Sequence, residues 1–407
     1  MKAGDLMLGM VSTLAALFAV EALLNQFANL RSRPAFDFGI VAHDNRDWLH
    51  ALYDLRAAGV EAYPIMSAEV YSQTFLDRGN ERALLPLAGI SNITTTFCNE
   101  LGRFIVYKSD RNGFRNPDRA WDATAPTLLV GDSFAQGACV PEGSTIAAEF
   151  MCRNRAVVSV AYNANGPLVE LATLVEYGPA LRPPLVIWLY HEGNDLTDLG
   201  RELDVPILRK YIEPGFSQNL IARQIEIDRT IRAALDARPE IQGVTAAARQ
   251  HWSLSGVLGL RNVRAQLRGA WDAVSAQRSA PPAKPELDDA VATPASEQRL
   301  SDFEIVLTRA RDIAAQWGGR IHLAYLPASE RFRFPQLQEI ATLDRTKAEI
   351  LNITASLDIP VIDLDAPIRA TPDPARLYPK ANWPVHLDVE GYRLIAKAIA
   401  DRLPAAP

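Results

Sequence analysis

Three cysteines in 407 residues are too few for a disulfide-stapled scaffold, and an odd number excludes complete pairing within one chain. Cys98, Cys139 and Cys152 combine with none of the six histidines at a zinc-binding spacing, so neither a metal nor a cofactor is expected. Positive charge is also in short supply: 42 Lys and Arg stand against 48 Asp and Glu, a formal net charge of -6. The seven Trp and eleven Tyr have no basic stripe beside them, which argues against nucleic acid as a partner. No internal repeat is present, so a solenoid is excluded. What is there is ordinary globular composition, 48% hydrophobic and 22% charged, long enough for one large domain or two modest ones.

Only one apolar run is long. Leu6 to Leu24 (LMLGMVSTLAALFAVEALL) holds nineteen residues with a single charge, Glu21, near its end. As a helix it would reach about 28 Å, roughly one bilayer core. A carboxylate near the bilayer boundary costs much less than one at the centre. No small-x-small cleavage site follows, so residues 1–33 read as an uncleaved membrane anchor, with a buried or partner-binding helix as the alternative. Lys2 on one side and Arg31 and Arg33 on the other leave its orientation open.

Beyond this run, residues 38–42 read as a short strand. Residues 48–58 read as a helix with Trp48, Leu49, Leu52 and Leu55 on one face, stopped by Gly59, and 60–64 as a second strand. Residues 96–122 combine a strand at 104–107 with a turn-rich stretch. The chain then alternates in the α/β manner: strands at 127–130, 157–160 and 185–190, helices at 144–151 and 168–177. Residues 200–275 carry Ala, Arg and Leu at helical spacing, and 279–297 (SAPPAKPELDDAVATPASE) read as a flexible linker. A helix at 303–317, a strand at 320–326, mostly helix at 334–357 and a strand at 360–364 follow. The expectation is one α/β domain over 34–407, interrupted at about 200–300 by a helical insertion and linker.

The chemistry concentrates at three places. Gly131-Asp132-Ser133-Phe134-Ala135-Gln136-Gly137 follows the first core strand, where open α/β sheets put reactive groups. Alone, Gly-Asp-Ser is ordinary turn chemistry. Gly193-Asn194-Asp195 follows the third strand, and His386 precedes a helix that Asp388 caps and Leu394, Ile395, Ala398 and Ile399 make amphipathic. Ser, Gly, Asn and His in this order resemble the SGNH (GDSL-type) hydrolase family. The stretches CNELGRFIVYKSDRNGFRNPDRAWD, GDSFAQGACV, NGPLVELATLVEY, YHEGNDLTDL and VHLDVEGYRLIAKAI look like a bacterial, membrane-anchored branch of it.

The resemblance implies an SGNH/flavodoxin-like three-layer sandwich with a central parallel sheet, to which the apolar run adds an N-terminal transmembrane helix and residues 200–300 a helical insertion. It implies Ser133 as nucleophile, His386 as base, and an oxyanion hole from the Ser133 N–H, the Ala161 N–H and the Asn194 side chain. Ala161 stands where glycine is usual, and Gly166 is the only glycine of that loop, so either is a candidate donor. Asp132, Gly193 and Asp195 are candidate supporting residues.

Two positions depart from the family pattern. Glu192-Gly193-Asn194-Asp195 moves the glycine one place, and no aspartate lies two or three residues before His386, where Trp383 and Pro384 stand. A carbonyl or Asn382 would then hold the imidazole in a Ser–His dyad, or Asp373 would fold back to complete a triad. His191 is the rival base, and Glu192 a candidate for substrate binding or histidine orientation. A Cys98–Cys139 disulfide and three unpaired buried thiols are both open. The implied activity is a serine esterase or O-acyltransferase on ester-linked acyl groups of a cell-envelope or secreted glycan. The implied setting is the bacterial inner membrane, single-pass, with the catalytic domain periplasmic. A lipase or thioesterase on lipid esters, with the insertion as a lid, and a non-catalytic glycan-binding or assembly protein are the alternatives.

Overall fold

A computed structural model describes Ser12, Asp44 and residues 16–20, 46–76, 83–249, 297–336, 339–378 and 386–403. The strand expected at 38–42, nearly all of the linker, Asn382 and most of the 6–24 run lie outside these. Among the described residues no helix is long and apolar enough to cross a membrane. The chain divides into two units, Met1–Ala62 with Asp236–Glu286, and Tyr63–Leu235 with Leu287–Pro407. In the first, the helices Trp48–Ala57 and Pro239–Arg249 pack together, and the Arg56 guanidinium donates to Thr245 Oγ1. Asp47 caps the first of them by accepting the His50 N–H at 2.8 Å, and Gly59 follows its end at φ +80°.

The second unit holds the chemistry. A small sheet contains β1 (Ala62–Pro64), β2 (Thr94–Thr96) and β3 (Val106–Lys108), with β2 and β3 antiparallel. The main sheet contains β4 (Thr127–Gly131), β5 (Val157–Ser159), β6 (Leu185–His191), β7 (Arg320–Leu326) and β8 (Val361–Asp363) in the order β5-β4-β6-β7-β8. All four pairings are parallel. A parallel sheet is covered on both faces, which is why these strands read as unbroken apolar runs. Strand β2 and the helix Ala68–Thr74 were not anticipated: the first is three threonines, the second a short segment of mixed polarity.

The period of two along each strand sorts the core. Leu129, Ile187, Leu189, Ala324, Leu326 and Ile362 face one way, against Ile146, Phe150, Tyr392, Ile395 and Ile399 of the helices Ile146–Cys152 and Val389–Ala400. The alternate residues face the helices Pro167–Leu181 and Glu297–Ala315, with Tyr190 against Phe303. The chain steps one way from β4 to β5 and back past β4 to β6, so right-handed crossovers put the two connecting helices on opposite faces. Strand order therefore reverses at β4, and the loops after β5, β4 and β6 leave one sheet edge side by side. Those loops carry Ala161, Ser133 and Asn194.

Candidate active site

Ser133 opens a one-turn helix, Ser133–Gln136, directly after β4. Asp132 caps it by accepting the Phe134 N–H at 2.8 Å. Gly137 closes it at φ +82°, where a Cβ would also lie 2.4 Å from Thr145 Cγ2. Behind the serine, a Cβ on Gly131 would meet Ala135 Cβ at 2.6 Å, so the tight approach of turn to strand requires glycine there. The buried Arg115 then pins the loop, donating to the carbonyls of Gly137 at 2.5 Å and Val140 at 2.8 Å.

Ser133 Oγ lies 2.8 Å from His386 Nε2. On the far side of the ring, Nδ1 lies 2.7 Å from Glu100 Oε1, while Glu100 Oε2 accepts the His386 backbone N–H at 3.1 Å. The serine is 8% exposed, and the His386 and Glu100 side chains 17% and 14%. A carboxylate only accepts, so Nδ1 carries the ring proton and Nε2 presents its lone pair to the serine hydroxyl. The arrangement is a triad, not a dyad. Its acid is Glu100, 286 residues before the histidine in the chain, and neither the Asp373 nor the Asn382 reading is needed to orient the ring.

The Cys98–Cys139 disulfide carries Glu100 to this place. Cys98 stands two residues before Glu100, and Cys139 six residues after Ser133, with Cα atoms 5.3 Å apart. Of the two cysteine readings the disulfide holds, leaving Cys152 free and exposed. That pairing is also the signal by which the acid could have been found, because it brings the Cys-Asn-Glu segment onto the serine loop.

The expected oxyanion donors fare unequally. The Ser133 N–H is at the first position of its helix, where no intrahelical acceptor exists. The Asn194 amide is oriented from both ends: its Oδ1 lies 2.6 Å from His191 Nδ1, and its Nδ2 donates to Asp198 Oδ2 at 2.8 Å. One N–H of that amide remains. Ala161 is buried, its N–H making only a long 3.4 Å bond to Ser159 Oγ. Gly166 is committed elsewhere: its N–H donates to Glu202 Oε1 at 2.6 Å, and it precedes the helix Pro167–Leu181 as N-cap. Between Ala161 and Gly166, the structure favours Ala161 as the donor.

His191 and Glu192 take supporting places. The Phe134 ring contacts both imidazoles, at 4.2 Å from His191 and 4.8 Å from His386, so His191 serves the Asn194 side of the site. Gly193 gives it room, since a Cβ there would meet His191 Cε1 at 2.6 Å. Glu192 is fully buried beneath Arg331, which donates to both its oxygens at 2.6 Å. It also accepts the Tyr325 hydroxyl and, at 2.9 Å, the Ala328 N–H. It joins the ends of β6 and β7 and does not line the site.

Beside the Asn194 loop lies a buried acidic group. Burial, then Asp132, pushes Asp195 well above the carboxylate range, while its Oδ2 accepts the His191 N–H at 2.9 Å. Burial with Asp195 and Asp132 does the same to Glu170. Burial raises Asp198 to about 7 and Glu202 to about 8, the latter although the N–H groups of Gly166, Leu168 and Val169 all donate to it.

No protein-family model matches the chain, and no curated protein matches it. Among solved structures it is similar to a member of the lipolytic protein G-D-S-L family from Veillonella parvula, at 10% identity over 68% of this chain and 97% of that one, with a TM-score of 0.35. It is also similar to an acetyl xylan esterase, AlAXEase, at 8% identity over 69% of this chain and 100% of that one, with a TM-score of 0.36. What the site can do therefore follows from its own geometry.

Proposed function

We propose that this chain is a serine hydrolase of the SGNH type that cleaves or transfers ester-linked acyl groups. The observation that carries the reading is the continuous hydrogen-bond chain from Glu100 through His386 to Ser133. A serine hydroxyl is a weak nucleophile unless a base takes its proton during attack. Nε2 of His386 is placed to do so, and the Glu100 carboxylate balances the imidazolium that results. The Ser133 N–H, the Asn194 amide and the Ala161 N–H are the donors for the charge on the attacked carbonyl. The imidazolium then returns its proton to the departing alcohol, leaving the acyl group on Ser133. Water completes hydrolysis, and a sugar hydroxyl completes transfer.

The glycan substrate and a periplasmic location come from the family resemblance, and the membrane anchor from the apolar run of residues 6–24. The Cys98–Cys139 bond fits an oxidising compartment. The non-catalytic alternative drew its support from the missing acid before His386, and Glu100 removes that ground. The test is ester turnover by the purified chain on acetylated oligosaccharides and on synthetic esters of short and long acyl chains, with and without a glycan acceptor. Turnover of acetyl esters, with acetyl moved to the acceptor or to water, is the expected result. Rates that climb with acyl length would favour a lipase, and no turnover by folded protein would overturn the reading.

A further inference from the structure

The disulfide that positions the acid also hides a set of metal ligands. One ligand atom each from Glu100, Cys139 and His386 lie within 4.8 Å of one another. Cys98 Sγ, bonded to Cys139 Sγ, stands just outside that group and can join it once the bond is broken and its side chain turns. Two sulfurs, an imidazole nitrogen and a carboxylate oxygen form the kind of donor set that closes a tetrahedral Zn²⁺ site. With metal–ligand bonds of about 2.0 to 2.3 Å, such donors sit roughly 3 to 4 Å apart, so Glu100, Cys139 and His386 have only a short distance to travel. Cys139 is buried, while His386 and Glu100 are 17% and 14% exposed, which leaves an ion a way in from solvent.

We propose that reduction of Cys98–Cys139 converts this end of the triad into a Zn²⁺ site of Cys98, Cys139, Glu100 and His386, and that zinc there switches the serine off. A dithiol supplies two electrons and two protons: the S–S bond breaks, two thiols form, and the dithiol becomes a disulfide. On taking the metal, both thiols release their protons to solvent. His386 binds through Nδ1, the nitrogen that faces Glu100, so the ring proton moves to Nε2. Nε2 then has no lone pair for the Ser133 hydroxyl, and Glu100 is drawn onto the ion. The oxidised chain is the active form, and the reduced chain is active only without zinc. The switching claim rests on the hydrolase reading, whereas the metal site does not.

The experiment uses the full chain carrying Cys152→Ser, which removes the third thiol. It is oxidised, or reduced with a phosphine, which competes for metal less than dithiols do, and then titrated with Co²⁺ as a coloured substitute for Zn²⁺. The expected result is one equivalent bound by the reduced chain alone, with thiolate charge-transfer and tetrahedral d–d bands that Zn²⁺ abolishes. In reduced His386→Ala the affinity should fall at least about tenfold. Equal cobalt binding by oxidised and reduced chains, or a reduced spectrum and affinity unchanged by His386→Ala, would overturn the site. In parallel, labelling of Ser133 by a fluorophosphonate should slow at least about tenfold when Zn²⁺ meets the reduced chain, and recover on chelation. Labelling indifferent to zinc would overturn the switch. A serine that never labels in the oxidised, metal-free chain would defeat the hydrolase reading instead, while the cobalt spectrum still decides the site.

Discussion

Replacing Glu100 by Gln tests the triad at its least expected member. The carboxylate accepts from two donors, His386 Nδ1 at 2.7 Å and the His386 backbone N–H at 3.1 Å. Glutamine offers one acceptor and one donor in the same outline. If its oxygen turns to the ring, its NH₂ faces the backbone N–H, two donors about 3 Å apart. If its NH₂ turns to the ring, Nδ1 must become an acceptor and the proton moves to Nε2, which then cannot serve Ser133. Both arrangements also lose the negative charge that balances the imidazolium. Losing an orienting acid in a serine triad lowers kcat on the order of 10⁴-fold, or roughly 5 kcal/mol of transition-state stabilisation. The effect on folding should be small, about 1 kcal/mol, because the pair keeps some solvent access. The assay is kcat on a soluble acetyl ester beside a thermal melt. A Glu100→Gln protein with unchanged melting and kcat within tenfold of wild type would refute the acid's role.

Other outcomes follow from the same geometry. Arg331→Met leaves the fully buried Glu192 carboxylate uncompensated and should cost about 3 to 5 kcal/mol of stability. Adding Glu192→Leu should restore part of it in urea unfolding. Gly137→Ala puts a Cβ 2.4 Å from Thr145 Cγ2 at a φ of +82°, and should lose about 2 kcal/mol or more with lowered activity, read by melting and turnover together. Asp198 and Glu202 have folded-state values raised to about 7 and about 8, so the folded chain holds their protons after the unfolded chain has released its own. Their contribution is complete below about pH 4 and is lost as pH rises through those values, at roughly 1 kcal/mol per pH unit for each group. Urea midpoints should fall from about pH 5 to about pH 8, with a shallower slope in Glu202→Gln; equal slopes in the two proteins would contradict this.

Local pattern made the sheet and two members of the proposed triad readable. The apolar runs of β4, β6 and β7 were evident because a strand buried on both faces has no polar side to interrupt it. Ser133 and His386 carry their setting within a few residues: a strand and a glycine turn for one, an Asp388-capped amphipathic helix for the other. Glu100 has no such setting. It lies in a loop, and only the Cys98–Cys139 bond and the fold's closure bring it to His386. Gly166 stayed open beside Ala161 for a related reason, since Glu202, 36 residues on, takes the N–H that its loop position offered. Glu192 was legible as a residue near the site but not as Arg331's partner 139 residues away.

The most direct measurement is labelling of the oxidised chain by a fluorophosphonate, with the adduct mapped by mass spectrometry in wild type, Ser133→Ala, His386→Ala, His191→Ala and Glu100→Gln. The account predicts an adduct on Ser133 that is lost with Ser133→Ala and His386→Ala, severely slowed with Glu100→Gln, and retained with His191→Ala. A folded wild-type chain that takes no label, or a Ser133 adduct that forms equally well without His386, would contradict it.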